Sequence, residues 1–297
     1  MKQATKAVLT AIPQAMNINS LNGERMTDFD NQGAGIHSSL RGDGEPAPFE
    51  LIAVPPRRPA LIVCDHASAR IPASLGTLGL PPASLADHIA LDIGAAAMTR
   101  ALSEQLGLPA VLTSYSRLVV DCNRRLDDPT AFPASSDGVA IPGNVDLDDG
   151  HRAARSESLY WPYHHQVRDQ LTALESLGSA PALIAVHSFT PVMDGLARPW
   201  DIGILWDKDP RIPVALMDRL RARGDIQVGD NQPYSGKHPA DFTVDHHAEA
   251  EGLPHVSIEI RQDLITTQAG VDRWSGLLAA TLEPLLDEQQ LYRHWSG

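Results

Sequence analysis

Two histidines follow apolar runs with the composition of buried strands: ALIVCD leads into His66, and ALIAV into His187. In an open α/β sheet, ligands bind beyond the carboxyl ends of the strands. Histidines delivered there by two strands can converge on one metal ion or one substrate. The alternative is a pair of loop histidines with ordinary hydrogen bonds, and no HExxH or CxxC spacing is present to decide. Glu259 is a third signal. In HVSIEIR, a period of two puts Val256, Ile258 and Ile260 on one face and Ser257, Glu259 and Arg261 on the other. A carboxylate inside an apolar strand is unfavourable unless paired or functional. It is either one half of an ion pair, with Arg261 or a neighbouring helix, or a general base whose pKa burial raises.

The run SRLVVDCNRR (116–125) gathers Arg117, Asn123, Arg124 and Arg125 around an apolar centre. Guanidinium groups present a planar fork that suits a carboxylate or a developing oxyanion. The cluster stands out because the chain as a whole carries a formal charge of −13. Asp92 lies in the apolar stretch IALDIGAAA, either exposed on a helix face or turned into a site. Asp65, beside His66, competes as a ligand or as the partner of one. His246 and His247 form a loop pair whose role stays open. Cys64 lies inside an apolar run and reads as buried, not as a nucleophile.

Positioning such groups requires a sheet. Short apolar runs at 60–68, 109–124, 181–191, 202–207 and 255–264 read as strands, the second as one or two. Helical spacing marks 83–107, 152–177, 210–223 and 268–287, with Gly107 stopping the first. Strands alternating with helices predict an α/β fold of three layers, a mainly parallel or mixed sheet flanked by helices. Residues 1–45 are polar, Gly-rich and aperiodic and read as a flexible N-terminal extension; 46–297 read as a single α/β domain. The 43% apolar and 21% charged fractions are those of a globular protein. The acidic charge argues against nucleic-acid and anionic-membrane partners. No run reaches the roughly 18 apolar residues of a membrane helix. No secretory signal is evident, and two cysteines make no disulfide framework, so a reducing cytoplasm is expected. Oligomeric state is left open.

Several segments resemble the N-formylglutamate amidohydrolase family over about residues 58–280: CDHASARIP (64–72), DIGAAAMTRAL (92–102), YSRLVVDCNR (115–124), SDGVAIPGN (136–144), YWPYH (160–164), VHSFTPV (186–192) and GLPHVSIEIRQDL (252–264). That family is similar to zinc carboxypeptidases and to N-acylamino-acid deacylases such as aspartoacylase. The resemblance implies a zinc-carboxypeptidase-like fold and one zinc ion held by His66 and His187. The wider group's HxxE glutamate is absent, because Ala69 stands in its place. Asp92 is the candidate third ligand, with Asp65 the alternative. Glu259 corresponds to the general base, and Arg117, Asn123 and Arg124 resemble the oxyanion-stabilising and carboxylate-binding groups. Arg198 and His247 complete the expected substrate-binding set. The implied reaction is metal-dependent hydrolysis of a small anionic N-acyl amino acid of the N-formyl-L-glutamate kind. The alternatives are a peptidase or deacylase acting on a larger acyl group, or a non-catalytic binder of anionic amino-acid derivatives.

Overall fold

The structure, a computed structural model, describes residues 40–237 and 241–297. Its strands are β1 (Phe49–Ile52), β2 (Ala60–Cys64), β3 (Ala110–Thr113), β4 (Ser135–Ser136), β5 (Val139–Ala140), β6 (Ala182–Phe189), β7 (Val192–Met193), β8 (Leu196–Ala197), β9 (Ile202–Leu205), β10 (Val228–Asp230) and β11 (His255–Arg261). Its α-helices are α1 (Pro82–Leu85), α2 (Ala95–Leu106), α3 (Asp149–Arg155), α4 (Trp161–Glu175), α5 (Pro213–Arg221), α6 (Phe242–Val244) and α7 (Gln268–Leu286). Seven strands form one sheet in the order β1-β3-β2-β6-β11-β9-β10. The four central strands are mutually parallel. β1 joins one edge antiparallel, and β9 runs antiparallel to β11 with β10 parallel to it. β4–β5 and β7–β8 are small separate hairpins.

Both faces of the sheet are buried, which is why its strands read as continuous apolar runs. Ile62, Ile184, Ile204 and Ile258 point to one side and pack with α2, α5 and α7. Leu61, Val63, Val111, Leu183 and Ala185 point to the other and pack with α4 and the loops around it. The predicted three-layer α/β architecture is therefore present. Among the described residues no helix is long and apolar enough to cross a membrane.

Two expected elements are shorter than their patterns. The helix read over 83–107 is only a turn at α1, then a loop, then α2. Gly94 caps α2 with φ +85°, and a Cβ there would lie 2.5 Å from the Ile265 carbonyl oxygen. This left-handed residue separates Asp92 from the helix. α2 then buries Ala95, Met98, Leu102 and Leu106 and stops at left-handed Gly107, whose N–H bonds Ser103 O. The strand pattern at 109–124 yields only β3. Beyond it the chain turns, and its carbonyls are taken by side chains instead of a ladder. Asn144 donates to Leu118 O (2.7 Å), Arg155 to Val119 O (3.0 Å), His164 Nε2 to Cys122 O (2.9 Å) and Tyr160 to Arg124 O (2.9 Å).

α3 and α4 are one continuous helix joined by a π-helical turn, Ser156–Tyr160, in which Trp161 N–H bonds Ser156 O. Pro162 follows directly and has no N–H to give. Of the expected N-terminal extension, residues 1–39 lie outside the described residues. From residue 40 the chain is tied to the body: Leu40 is buried, Ser74 donates to its carbonyl (2.6 Å), and the Glu45 carboxylate accepts from Ala73 N–H (2.9 Å).

Candidate active site

The carboxyl ends of three adjacent parallel strands supply the first groups. β2 runs into Asp65 and His66, β6 carries His187, and β11 places Glu259 directly beside His187 in register. On the far side of Glu259 is Gly203 of β9, where a Cβ would lie 2.0 Å from Gln232 O. The loop before α2 brings Asp92 over the strand ends. Its N–H bonds His66 O (3.0 Å), and Ser188 N–H reaches its Oδ2 (3.4 Å). His66, Asp92, His187 and Glu259 open on a cavity of about 400 Å³, within the range of small-molecule sites.

His66 Nδ1 and His187 Nδ1 stand 3.3 and 2.9 Å from the same Asp92 oxygen. Each ring is backed by a second carboxylate. His66 Nε2 is 2.8 Å from Asp121 Oδ1, and His187 Nε2 is 3.3 Å from Asp65 Oδ2. The second contact has the distance of a hydrogen bond without its alignment, leaving both of its atoms unpartnered by geometry. All five side chains are buried. Burial disfavours the charge of Asp92, but the two imidazoles outweigh it and hold the carboxyl below its ordinary range. Burial likewise opposes the Asp121 carboxylate, and Arg117 with His66 overcomes it.

His66, Asp92 and His187 form a buried cluster whose ligating atoms are close enough to share one cation. The donor set fits a divalent transition metal: two imidazole nitrogens and a carboxylate oxygen, with the far nitrogens held by carboxylates, as bound histidines generally are. Asp65 is fully buried and absent from the cavity wall, which favours Asp92 as the carboxylate facing a ligand. Asp65 lies instead in a second cluster, with His187 and Asp241. The cavity's charge balance points the same way: Asp92, Asp128, Asp241 and Glu259 line it against Arg117 and Arg124.

Glu259 is buried, and its Oε2 has no hydrogen-bond partner. Arg261, its expected ion-pair partner, turns instead to Asp263 (2.8 Å) and Asp201 (3.2 Å). Burial pushes the Glu259 carboxyl up to about 8; His187 opposes this, while Asp92 and Asp241 add to it.

Arg117 bridges Asp121 (2.8 Å) and Asp92 (3.5 Å) and lines the cavity with Asn123 and Arg124. Asn123 is fixed at both ends: its N–H bonds Asp121 Oδ1 (2.8 Å), and its Oδ1 accepts from Thr243 N–H (3.0 Å). Other expected residues lie elsewhere. Arg125 pairs with Asp127 at the surface. Arg198 stands behind the wall, 3.0 Å from the hydroxyl of Tyr234, which does line the cavity. His247, expected in the substrate-binding set, does not line this cavity. Its Nε2 meets His164 Nδ1 at 3.0 Å, and with exposed His246 it borders a separate hollow of about 430 Å³. Cys64 is buried inside β2 with its thiol pushed up to about 12 by burial, so it is no nucleophile at neutral pH.

Sequence reasoning passed over Asp121, although it lies inside the quoted arginine-rich run. Its signal was a carboxylate directly after the apolar pair Val119–Val120, just as Asp65 follows Cys64. Tyr163, Tyr234, Thr243 and Asp241 gave no local signal.

The sequence has clear relatives. Residues 58–266 match the family described as N-formylglutamate amidohydrolase. The crystal structure of a gene product from Agrobacterium tumefaciens is 37% identical, covers 83% of this chain and 98% of its own, and superposes with a TM-score of 0.80. That of the N-formylglutamate amidohydrolase from Ralstonia eutropha is 18% identical, covers 82% of this chain and 98% of its own, and has a TM-score of 0.61, a likeness of fold. No curated protein matches.

Proposed function

This chain belongs to the N-formylglutamate amidohydrolase family and is an amidohydrolase; we propose that it is metal-dependent and cleaves the acyl–nitrogen bond of a small N-acyl amino acid of the N-formyl-L-glutamate kind. The observation that carries this reading is the buried Glu259 carboxyl, whose Oε2 has no hydrogen-bond partner among the described residues, beside the His66–Asp92–His187 cluster. His66 Nδ1, His187 Nδ1 and Asp92 are the groups that would hold a zinc ion. A zinc ion supplies Lewis acidity, polarising the acyl carbonyl and making water nucleophilic at neutral pH.

The chain's own groups do the rest. Glu259 takes the proton of the attacking water and hands it to the amine nitrogen as the carbon–nitrogen bond breaks. Its buried position keeps its proton affinity near the working pH. Arg117, fixed by two carboxylates, presents positive charge where the carbonyl oxygen becomes an oxyanion. Arg124 and Asn123 grip the substrate carboxylate, and Arg198 acts through Tyr234, which also lines the cavity. The products are formate, or another small acid, and the free amino acid.

Chelator treatment should abolish hydrolysis of N-formyl-L-glutamate, and zinc should restore it with about one ion bound per chain. His66→Ala should bind none. Full activity in protein shown by elemental analysis to be free of divalent metal would refute the metal-dependent reading.

A further inference from the structure

Asp65 does not line the cavity, yet its carboxylate is held from two helices. Its Oδ1 accepts two hydroxyl hydrogen bonds, from Tyr163 of α4 at 2.6 Å and from Thr243 of α6 at 2.7 Å. Its main-chain carbonyl accepts a third, from Thr113 at the end of β3 (2.7 Å). Only Oδ2 is left, and it faces His187 Nε2 at 3.3 Å. A carboxylate this buried, with two donors on one oxygen and an imidazole nitrogen before the other, has a defined orientation.

We propose that Asp65, clamped by Tyr163 and Thr243, is the positioning residue that keeps the proton of His187 on Nε2 and so leaves its Nδ1 free to bind a cation beside Asp92. This rests on the metal-dependent reading above. A carboxylate oxygen only accepts, so a proton on His187 Nε2 is attracted to Oδ2 at 3.3 Å even though the alignment falls short of a hydrogen bond, and the lone pair is then on Nδ1. The hydroxyl clamp makes the arrangement sensitive to a change of one atom. In Asp65→Asn the amide oxygen stays with the Tyr163 and Thr243 hydroxyls, so the amide NH₂ is what meets His187. That NH₂ needs an acceptor. His187 then accepts at Nε2 and carries its proton on Nδ1, where it blocks the lone pair.

The same logic predicts a rescue. No other acceptor for the Tyr163 hydroxyl is evident among the described residues, whereas Thr243 Oγ1 also lies 3.5 Å from Cys122 O. With Tyr163→Phe added, Thr243 can donate to Cys122 O and accept from the amide. The introduced amide is then free to flip and present its oxygen to His187.

The test is zinc affinity, measured by chelator competition on the full chain, together with the melting temperature of the metal-free protein. Asp65→Asn should weaken zinc binding about 10- to 100-fold, the usual effect of losing a ligand's hydrogen-bond partner, with metal-free melting within a few degrees of wild type. Adding Tyr163→Phe should recover most of that loss. Wild-type affinity in Asp65→Asn would overturn the proposal, and so would a double variant no better than the single one. An affinity loss matched by a large drop in metal-free melting would make Asp65 a folding residue only. If the wild-type protein itself binds no zinc, the metal-dependent reading fails and this inference falls with it, an outcome visible before any variant is made.

Discussion

At the scale of single residues, Glu259 has the sharpest consequences. Glu259→Gln keeps the size but cannot take a proton from water, so kcat should fall about 10²–10⁴-fold while bound zinc is retained. The same change should raise the stability of the metal-free protein in alkali. A carboxyl whose folded pKa is raised to about 8 from 4.5 destabilises progressively as pH rises through that window, because the unfolded chain releases a proton that the folded state still holds. Melting of both metal-free proteins at pH 9 checks this, and a Gln variant that melts earlier would make Glu259 a structural group. His66, His187 and Glu259 were legible because strand ends and a period of two are local patterns. Asp121 escaped because its neighbours' positive charge drew the reading. Tyr163 and Thr243 could not be seen at all, since they meet Asp65 across 98 and 178 residues of chain.

At the scale of elements, the two patterns that overran their structure are the two that build the site. Apolar residues recur helically from Leu85 to Leu106, but the period does not register the left-handed Gly94 that ends the loop holding Asp92. Gly94→Ala should destabilise the protein by about 1–3 kcal/mol through strain at a positive φ and weaken zinc binding by displacing Asp92. Urea denaturation and chelator competition read the two effects, and an unchanged affinity would show that Asp92 is held independently of the turn. The run Leu118–Cys122 has the composition of a strand, and only its distant partners Asn144, Arg155 and His164 make it a loop. The central strands and the later helices were read correctly because burial on both faces leaves a long apolar signal that no single contact interrupts.

At the scale of the molecule, acid stability is linked to the buried pair behind the arginine-bearing loop. Burial lowers His164 to about 4 and His247 to about 3, from 6.5. Both are neutral in the folded state, so unfolding takes up protons and stability is lost as pH falls from about 6.5 towards 4. Glu259 works in the opposite sense across part of that window, so the histidine contribution is the difference between two proteins. The melting temperature of a His164→Gln/His247→Leu variant should decline less steeply from pH 6.5 to 4 than that of wild type. Parallel curves would mean that the pair is not the acid-labile point. The overall charge of −13 was a poor guide to the site, where carboxylates and arginines are interleaved within one small cavity.

The π turn between α3 and α4 bears on where the chain tolerates a change of length. Arg155 and Tyr160 both reach the loop at 117–124, yet residues five apart in a regular α-helix lie about 140° round the axis. The wider turn absorbs one residue and restores a common face. Losing an exposed residue there, such as Glu157, would leave Arg155 four places before the tyrosine, about 40° round a regular α-helix and still on the same face. Losing one residue further along, between Tyr160 and His164, would turn half the supports of the loop away from it. Chain length is therefore negotiable at one turn of this helix and rigidly constrained at the next.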